Sequence, residues 1–147
     1  MLNANDLLKI GVVGYSGRPF DHDLARRELR HLLLPLAAGR DPAHIELVSG
    51  HTDVGVPRLA YLLAEEMGWS TTGISAAEAA TVKEGLYPVD RAVSVGEKFG
   101  DESEAFLAYI DVLVRVGGGK QSIREVARFR EIHAGEEMGE LLFEVAI

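Results

Sequence analysis

The sequence predicts an α/β fold in which a single doubly wound, Rossmann-like parallel sheet carries helices on both of its faces. Short runs of β-branched and aliphatic residues alternate with segments of helical periodicity along the whole chain. Strands that are separated by helices of about 10–15 residues form parallel sheets with right-handed crossovers. The runs Ile10–Val13 and Val112–Val116 are apolar at nearly every position, as expected of strands in a sheet that is covered on both faces.

Composition restricts the chain to a few functional classes. The 147 residues carry 15 Lys and Arg against 23 Asp and Glu, a net charge of −8, and 47% of them are hydrophobic. This is the balance and the size of a soluble globular protein, and we expect one domain over residues 1–147. The negative charge argues against a surface built for nucleic acid phosphates or for an anionic membrane.

The absence of cysteine and the spacing of the histidines exclude further classes of function. The chain has no cysteine, which excludes disulfides, thiol catalysis and thiolate metal sites. Its five histidines show no H-x-H or H-x-x-x-H spacing, so no metal site is expected. The N-terminus does not resemble a secretory signal, and the uncharged apolar stretch over residues 32–38 is far shorter than the roughly 20 residues of a membrane span. We therefore expect a cytoplasmic protein without a membrane partner.

The first half of the chain predicts two strand–helix units. A strand over residues 9–14 ends in a turn-rich loop, and Asp21 is a suitable N-cap for a helix that Pro35 should end or kink. A second strand over residues 45–48 leads to a helix over residues 56–67, for which Gly68 is a suitable C-terminal cap.

The second half predicts shorter elements. We expect strands over residues 69–74, 91–95, 112–116 and 141–145, a helical turn over 76–80, and helices over 103–109 and 122–133. Asp101–Glu104 and Ser122–Glu125 have the spacing of capping boxes for these two helices. Arg115 lies inside an apolar strand and is expected to reach an acidic partner or the edge of the sheet.

Glycine-bearing loops follow the first, second and fifth strands. In a doubly wound sheet, ligands bind beyond the carboxyl ends of the strands. Glycine lets the backbone approach a ligand closely, and a helix that starts after the loop directs free N–H groups at an anion. The predicted ligand- or phosphate-binding residues are Gly14, Ser16, Gly17 and Arg18 in the first loop, Ser49, Gly50 and Asp53 in the second, and Gly117, Gly118, Gly119, Lys120, Gln121 and Ser122 in the third.

Some of these residues also have a purely structural interpretation. Arg18 and Lys120 could meet a ligand anion or be ordinary surface charges. Ser122 could contact a phosphate and Glu125 a reacting sugar, or both could only cap the last helix.

The same ambiguity applies to two groups of polar residues near the predicted site. The acidic residues that follow the fourth strand could face the crevice or form a solvated helix start; they are Glu97, Asp101, Glu102 and Glu104. His51 and Asp53 could form a general acid–base pair, or His51 could be a solvated loop residue.

Three well-known motifs are absent. No G-x-G-x-x-G follows the first strand, and the loop before Lys120 is not a Walker A motif because Val114 and Gln121 occupy two of its required positions. No G-x-S-x-G elbow is present, so a hydrolase triad is not expected.

The three glycine loops together resemble those of the SLOG superfamily. The matching segments are Gly14–Gly17, Ser49–Gly55 and Gly117–Glu125, and the likeness extends from Lys9 to about Val145. This superfamily includes the Lonely-guy phosphoribohydrolases, once misnamed lysine decarboxylases, as well as the DprA-like proteins and the molybdenum cofactor carrier proteins. The resemblance implies a Rossmann-like fold that binds a nucleotide or a nucleotide-derived ligand, often as a homodimer.

Residue by residue, the likeness to the phosphoribohydrolases is incomplete. In their P-G-G-x-G-T-x-x-E motif, Gly118 and Gly119 match the paired glycines, Ser122 the threonine and Glu125 the catalytic glutamate, while Gly117 and Gln121 replace a proline and a glycine.

The second motif of those enzymes, M-x-x-R-K, departs further. By the family's spacing, Phe99 takes the place of the methionine, Glu102 of the arginine and Ser103 of the lysine. This charge reversal should repel a 5′-monophosphate at that position.

The leading functional prediction is binding of a nucleotide or nucleotide-derived phosphorylated ligand at the carboxyl edge of the sheet, with no other cofactor required. One alternative is an enzyme that hydrolyses the N-glycosidic bond of a nucleotide, with Glu125 as its catalytic residue. Another is a carrier or sensor that passes a bound cofactor or a signal to a partner.

Overall fold

The computed structural model describes residues 5–147, which form a six-stranded, all-parallel sheet. The strands are β1 (Leu8–Gly14), β2 (Ile45–Ser49), β3 (Ser70–Ser75), β4 (Arg91–Ser94), β5 (Val112–Val116) and β6 (Leu142–Val145). They lie side by side in the order β4-β3-β2-β1-β5-β6. The predicted α/β, Rossmann-like parallel sheet is confirmed.

Helices cover both faces of this sheet. Over the described residues these are α1 (His22–Ala37), α2 (Gly55–Met67), α3 (Ser103–Tyr109) and α4 (Lys120–Ile132), with 3-10 turns at Pro42–His44, Ala77–Thr81 and Met138–Glu140. Ile10 and Val12 of β1 pack in one core with α1 and α2, whereas Val13 packs in a second core with Phe106 of α3 and Phe129 of α4. The sheet is therefore doubly wound, because alternate residues of one strand enter opposite cores.

The order of the strands reverses at β1. Three successive strands are added on one side of β1, and β5 and β6 are added on its other side. Gly11 pairs with Val48 of β2 and with Leu113 of β5. The chain leaves β1 toward one face and β5 toward the other, which opens a crevice at the carboxyl ends of these two strands.

The first helix begins as predicted but extends further. Asp21 caps α1 by accepting a hydrogen bond from the Leu24 amide at 3.0 Å. Pro35 does not end the helix but lies inside it, because α1 continues to Ala37. The proline removes the N–H that would pair with the carbonyl of His31, but both residues are exposed, so water can satisfy that carbonyl.

Two other details follow the sequence closely. Gly68 caps α2 in the left-handed conformation, with φ of 77°. Arg115 reaches an acidic partner as predicted, since its Nε donates to Glu144 Oε1 on the neighbouring strand β6 at 2.7 Å.

Both predicted capping boxes are wrong. The residue before α3 is Glu102, which has helical backbone angles, and its side chain does not cap the helix. Helix α4 starts at Lys120 rather than Ser122 because Gly119 is already extended, with φ of −95°, and serves as the N-cap. Ser122 and Glu125 therefore lie within the helix, and the side chain of Glu125 accepts a hydrogen bond from Ser103 instead.

Candidate functional site

A cleft of about 830 Å³ opens at the carboxyl ends of the strands, where the strand order reverses. We call it the switch-point cleft. It is lined by segments that follow β1, β2, β3, β4 and β5. The three glycine-bearing loops therefore meet at one cavity, as their positions after parallel strands require.

Most of the residues predicted to bind a ligand line this cleft. They are Gly14, Ser16, Gly17, Arg18, Ser49, Gly50, Gly119, Lys120, Gln121, Ser122 and Glu125. Asp53, Gly117 and Gly118 do not line it. Asp53 instead forms an ion pair with Arg58, with 3.1 Å between the Asp53 Oδ1 and Arg58 Nε atoms.

Gly117 supports the cleft from behind. It has φ of 61°, and a Cβ at this position would overlap the ring of Tyr15. The ring of Tyr15 lies against this glycine, and its hydroxyl donates a hydrogen bond of 3.1 Å to the Ile147 carbonyl. Gly117 thus allows the loops after β1 and β5 to pack together and to form one wall.

Aromatic residues continue that wall. Phe20 stacks on His22 with ring centroids 4.3 Å apart, and the guanidinium of Arg18 lies 5.0 Å from the centroid of the Tyr15 ring. All four residues line the cleft. Phe20 and His22 were not among the predicted site residues, although their position just after the first glycine loop could have indicated them.

The loop after β2 is held by buried hydrogen bonds. Ser49 Oγ donates to the Val12 carbonyl at 2.6 Å, and the Tyr61 hydroxyl accepts from the His51 amide at 3.1 Å and donates to the Thr72 carbonyl at 3.0 Å. Burial raises the pKa of Tyr61 far above its usual value. These contacts fix the position of Gly50 in the cleft wall.

The interpretation of His51 as a solvated loop residue is wrong. His51 is buried, has φ of 76°, and packs so closely on Gly73 that a Cβ there would overlap its side chain. Burial lowers the pKa of His51 below its usual value. The residue does not line the cleft, and the carboxylate of Asp53 is engaged by Arg58.

The cleft contains cationic groups beside a helix N-terminus. Helix α4 begins at the cleft, and no side chain caps its first turn. Lys120 is the first residue of this helix and is exposed, and among residues 5–147 no acidic side chain pairs with it or with Arg18. Free backbone N–H groups and a helix dipole attract an anion at this end.

Two buried carboxylates, Glu102 and Glu125, line the same cleft. Glu102 accepts hydrogen bonds from the Gly100 amide at 2.9 Å and from Gln121 Nε2 at 3.1 Å, and Glu125 accepts from Ser103 Oγ at 2.8 Å. Burial raises the pKa of Glu125, and the negative charge of Glu102 raises it further, while the hydrogen bonds to Glu125 oppose the shift.

The remaining acidic residues after β4 do not line the cleft. Asp101 accepts from the Glu97 and Lys98 amides, both at 3.0 Å, and these bonds lower the pKa of Asp101. Glu104 pairs with Arg128 at the surface. Of the four acidic residues after β4, the structure brings Glu102 alone to the cleft.

Two lining residues, Val82 and Glu84, carry no local pattern that could have indicated them, whereas Phe99 is indicated only by its place in the M-x-x-R-K motif. Val82 and Glu84 come from the segment after β3, and Phe99 from the loop after β4, where it is 47% exposed. They reach the cleft only because the sheet order brings these distant loops to the same edge.

The described residues contain neither a cluster of metal ligands nor a membrane-spanning helix. Among residues 5–147, no three His, Asp or Glu side chains come together as a group that could hold a metal ion. Within the same range, no helix combines the length and the apolar character that crossing a bilayer requires.

No family model and no curated protein matches the sequence. Among solved structures, the chain is similar to the X-ray structure of TM1055, a structural genomics target, with a TM-score of 0.68 and 26% identity over 86% of this chain and 70% of that one.

Two other similar structures are of proteins described as binding or carrying the molybdenum cofactor. One is the molybdenum cofactor binding protein from the phototrophic bacterium Rippkaea orientalis, with a TM-score of 0.66 and 23% identity over 85% of this chain and 71% of that one. The other is the molybdenum cofactor carrier protein MCP from Chlamydomonas reinhardtii, with a TM-score of 0.64 and 21% identity over 95% of this chain and 89% of that one. These likenesses independently support the Rossmann-like fold.

Proposed function

We propose that this chain is a SLOG-type protein that binds a phosphorylated, nucleotide-like cofactor in the switch-point cleft and carries it to a partner. The observation that carries this proposal is the start of α4 at the cleft. Gly119 and Lys120 line the cavity, and the first turn of the helix has no side-chain cap. Its free N–H groups need an acceptor, and a phosphate is the strongest common one.

The surrounding charges support an anion at this end. Arg18 and Lys120 line the cleft without acidic partners in the described part of the chain, although the whole protein carries a net charge of −8. Two cations beside a helix N-terminus favour a small anion over a nucleic acid, whose binding depends on an extended positive surface.

The size of the cleft supports a ligand of nucleotide dimensions. Its volume of about 830 Å³ lies within the range of small-molecule sites, about 300–1,000 Å³. Apolar side chains such as Val54, Pro57 and Phe99 line parts of it, so a flat organic ring can be covered while the phosphate meets the helix.

A carrier is favoured over an enzyme for two reasons. Two of the similar solved structures are a molybdenum cofactor binding protein and a molybdenum cofactor carrier protein. In addition, Glu102 stands where the phosphoribohydrolase motif has an arginine, so the cation that would hold a 5′-monophosphate there is replaced by a buried acid. The molybdenum cofactor is therefore the first ligand to test.

The properties of Glu125 support a second candidate function, hydrolysis of an N-glycosidic bond. Glu125 is buried, lines the cleft and has a raised pKa, which are properties of a general acid. If the chain is instead an N-glycosidase, the purified protein should release free base from a nucleotide, and Glu125→Gln should abolish that turnover. Release of base that survives this substitution would exclude Glu125 as the catalytic residue.

Thermal unfolding in the presence of candidate ligands tests the binding proposal. The panel contains AMP, GMP, inorganic phosphate and molybdenum cofactor released from a molybdoenzyme. A ligand at 100 times its Kd should stabilise the fold by about 2.7 kcal/mol, which raises the Tm of a domain of this size by several degrees.

Lys120→Gln should reduce that shift, because it removes a cation from the anion end. The control is Arg27→Gln, which removes an exposed charge from α1 that does not line the cleft. The proposal is overturned if no member of the panel raises the Tm at millimolar concentration.

A further inference from the structure

We infer that Phe99 and Glu102 form the subsite that selects the ring of the ligand, and that this ring carries two adjacent N–H donors on an N–C–N edge. The inference deepens the proposed function and rests on it. Guanine and the 2-amino-4-oxopteridines share this edge, whereas adenine presents an acceptor beside its amino group.

Glu102 is a fixed carboxylate with acceptor capacity to spare. It is 6% exposed and lines the cleft. Its Oε2 accepts from the Gly100 amide at 2.9 Å, and its Oε1 accepts from Gln121 Nε2 at 3.1 Å. A carboxylate has about four lone-pair sites, so each oxygen retains one after these bonds.

The buried carboxylate of Glu102 has no cationic partner in the part of the chain that the structure describes. Among residues 5–147, no Lys, Arg or His forms an ion pair with Glu102, and its neighbour Glu125 is also acidic. A buried carboxylate that has only neutral donors is costly, and its energy improves when further N–H donors reach it. A donor pair on a ligand would form a bidentate, charge-assisted contact.

Phe99 supplies a surface for a flat ring in the same loop. It lies three residues before Glu102, lines the cleft and is 47% exposed. A large apolar side chain that the protein leaves uncovered in a cavity gains from contact with a ligand, and every heteroaromatic ring has a face that stacks on phenylalanine.

The loop that carries both residues is held in place before any ligand binds. The Phe99 amide donates to Glu78 Oε1 at 2.9 Å, and the Glu78 amide donates to the Glu97 carbonyl at 2.7 Å. Asp101 accepts from two further amides of the loop. A site that is ordered in advance loses less entropy on binding, so its contacts contribute more to selectivity.

The cleft also imposes an orientation on the ligand. A phosphate is attracted by the first turn of α4 and by Arg18 and Lys120, and it is repelled by Glu102 and Glu125. Glu102 lies beside this helix, because it accepts a hydrogen bond from Gln121, the second residue of α4. A ligand that presents its phosphate to the helix amides and its N–H donors to Glu102 therefore satisfies both parts of the site. Glu102 is thus expected to determine specificity rather than to catalyse a reaction.

Calorimetric titration of the full chain with matched ligands tests the inference. GMP is compared with IMP, which lacks the 2-amino group, and with AMP. In parallel, 6-hydroxymethylpterin phosphate is compared with the same ring without its 2-amino group. Loss of one charge-assisted hydrogen bond should weaken binding about tenfold or more, and the pair with the larger discrimination identifies the ring type.

Substitutions at Glu102 and Phe99 separate the recognition of the N–H donors from the stacking on the ring. Glu102→Gln should remove the discrimination between GMP and IMP, because an amide offers one acceptor in place of two. Phe99→Ala should weaken all ring ligands alike and leave the GMP-to-IMP ratio unchanged. Glu104→Gln is the matched control, since Glu104 is exposed, pairs with Arg128 and does not line the cleft.

The outcomes distinguish this inference from the proposed function. Equal binding of each ligand and its partner without the amino group overturns the inference and leaves the cleft as a ligand site. Unchanged discrimination in a folded Glu102→Gln variant also overturns it. If no phosphorylated ligand binds, the proposed function fails together with the inference. The wild-type comparison gives its answer even if a variant does not fold.

Discussion

Ser103 Oγ donates a hydrogen bond of 2.8 Å to Glu125 Oε2 and so joins the first residue of α3 to the second turn of α4 beside the cleft. The bond spans 22 positions in sequence. It favours the charged form of Glu125, against the burial that favours the neutral form. The protonation state of the cleft therefore depends on how two helices are placed relative to each other.

Replacing Ser103 by alanine should raise the pKa of Glu125 further, because the hydrogen bond that stabilises its carboxylate is lost. The free energy of unfolding should fall by about 1 kcal/mol, the usual contribution of one hydrogen bond. Carbon-detected NMR titration of the Glu125 carboxyl and urea unfolding would measure the two effects. A pKa that falls or stays the same in the Ser103→Ala variant would contradict the role assigned to this bond.

Glu125 should make the fold less stable as the pH rises above the ordinary range of a carboxyl group. Its pKa is raised in the folded state from 4.5, so the native protein binds this proton more tightly than the unfolded chain does. The free energy of unfolding therefore decreases as the pH rises from the unfolded pKa through the folded one. Below the unfolded pKa the carboxyl is protonated in both states, so this loss of stability does not occur there.

Glu125→Gln should remove that dependence, so the variant should lose less stability than the wild type between about pH 4 and about pH 8. Urea unfolding at both pH values gives the comparison. Glu137→Gln, at an exposed position outside the cleft, is the control and should leave the dependence unchanged. Parallel pH profiles for the wild type and Glu125→Gln would show that this carboxyl does not titrate as described.

Gly117→Ala should destabilise the fold by about 2 kcal/mol or more. The φ of 61° is unfavourable for alanine, and the added methyl group would overlap the ring of Tyr15. Gly139→Ala is the control, because its Cβ would meet nothing within 4 Å and its φ is not positive. Thermal unfolding of both variants measures the difference, and equal Tm values would show that the two loops do not need this close approach.

The sequence was sufficient for the sheet and for much of the cleft. Strands such as Val112–Val116 are continuous apolar runs whose period and bounds are local, and glycine loops such as Gly14–Gly17 mark the ends of such strands. Because parallel strands all end at one edge, predicting their order along the chain was enough to bring these loops together.

What could not be predicted depends on contacts between distant segments. Glu102 has the local appearance of a solvated helix start, but Gln121, which lies 19 positions away, covers it. His51 is buried because Gly73 on the neighbouring strand leaves space for its ring. The spacing Ser122–Glu125 is that of a capping box, yet the extended backbone of Gly119 starts the helix earlier. Local spacing carries no information on such packing.

Lys120→Gln should stabilise the free protein while it weakens binding of the phosphorylated ligand. Lys120 is the first residue of α4, where a positive charge is opposed by the helix dipole. Its removal should therefore raise the free energy of unfolding by about 0.3–1 kcal/mol without ligand. Urea unfolding of the free protein measures this gain, and calorimetric titration measures the loss of affinity.

Arg27→Gln provides the comparison, because Arg27 lies inside α1 and should change neither quantity appreciably. A gain in stability together with a loss of affinity is expected when a residue is present for binding. If only the stability of the fold mattered, an acidic or neutral side chain would be favoured at this helix start. A Lys120→Gln variant that loses stability and affinity together would instead show that the lysine supports the structure of the loop.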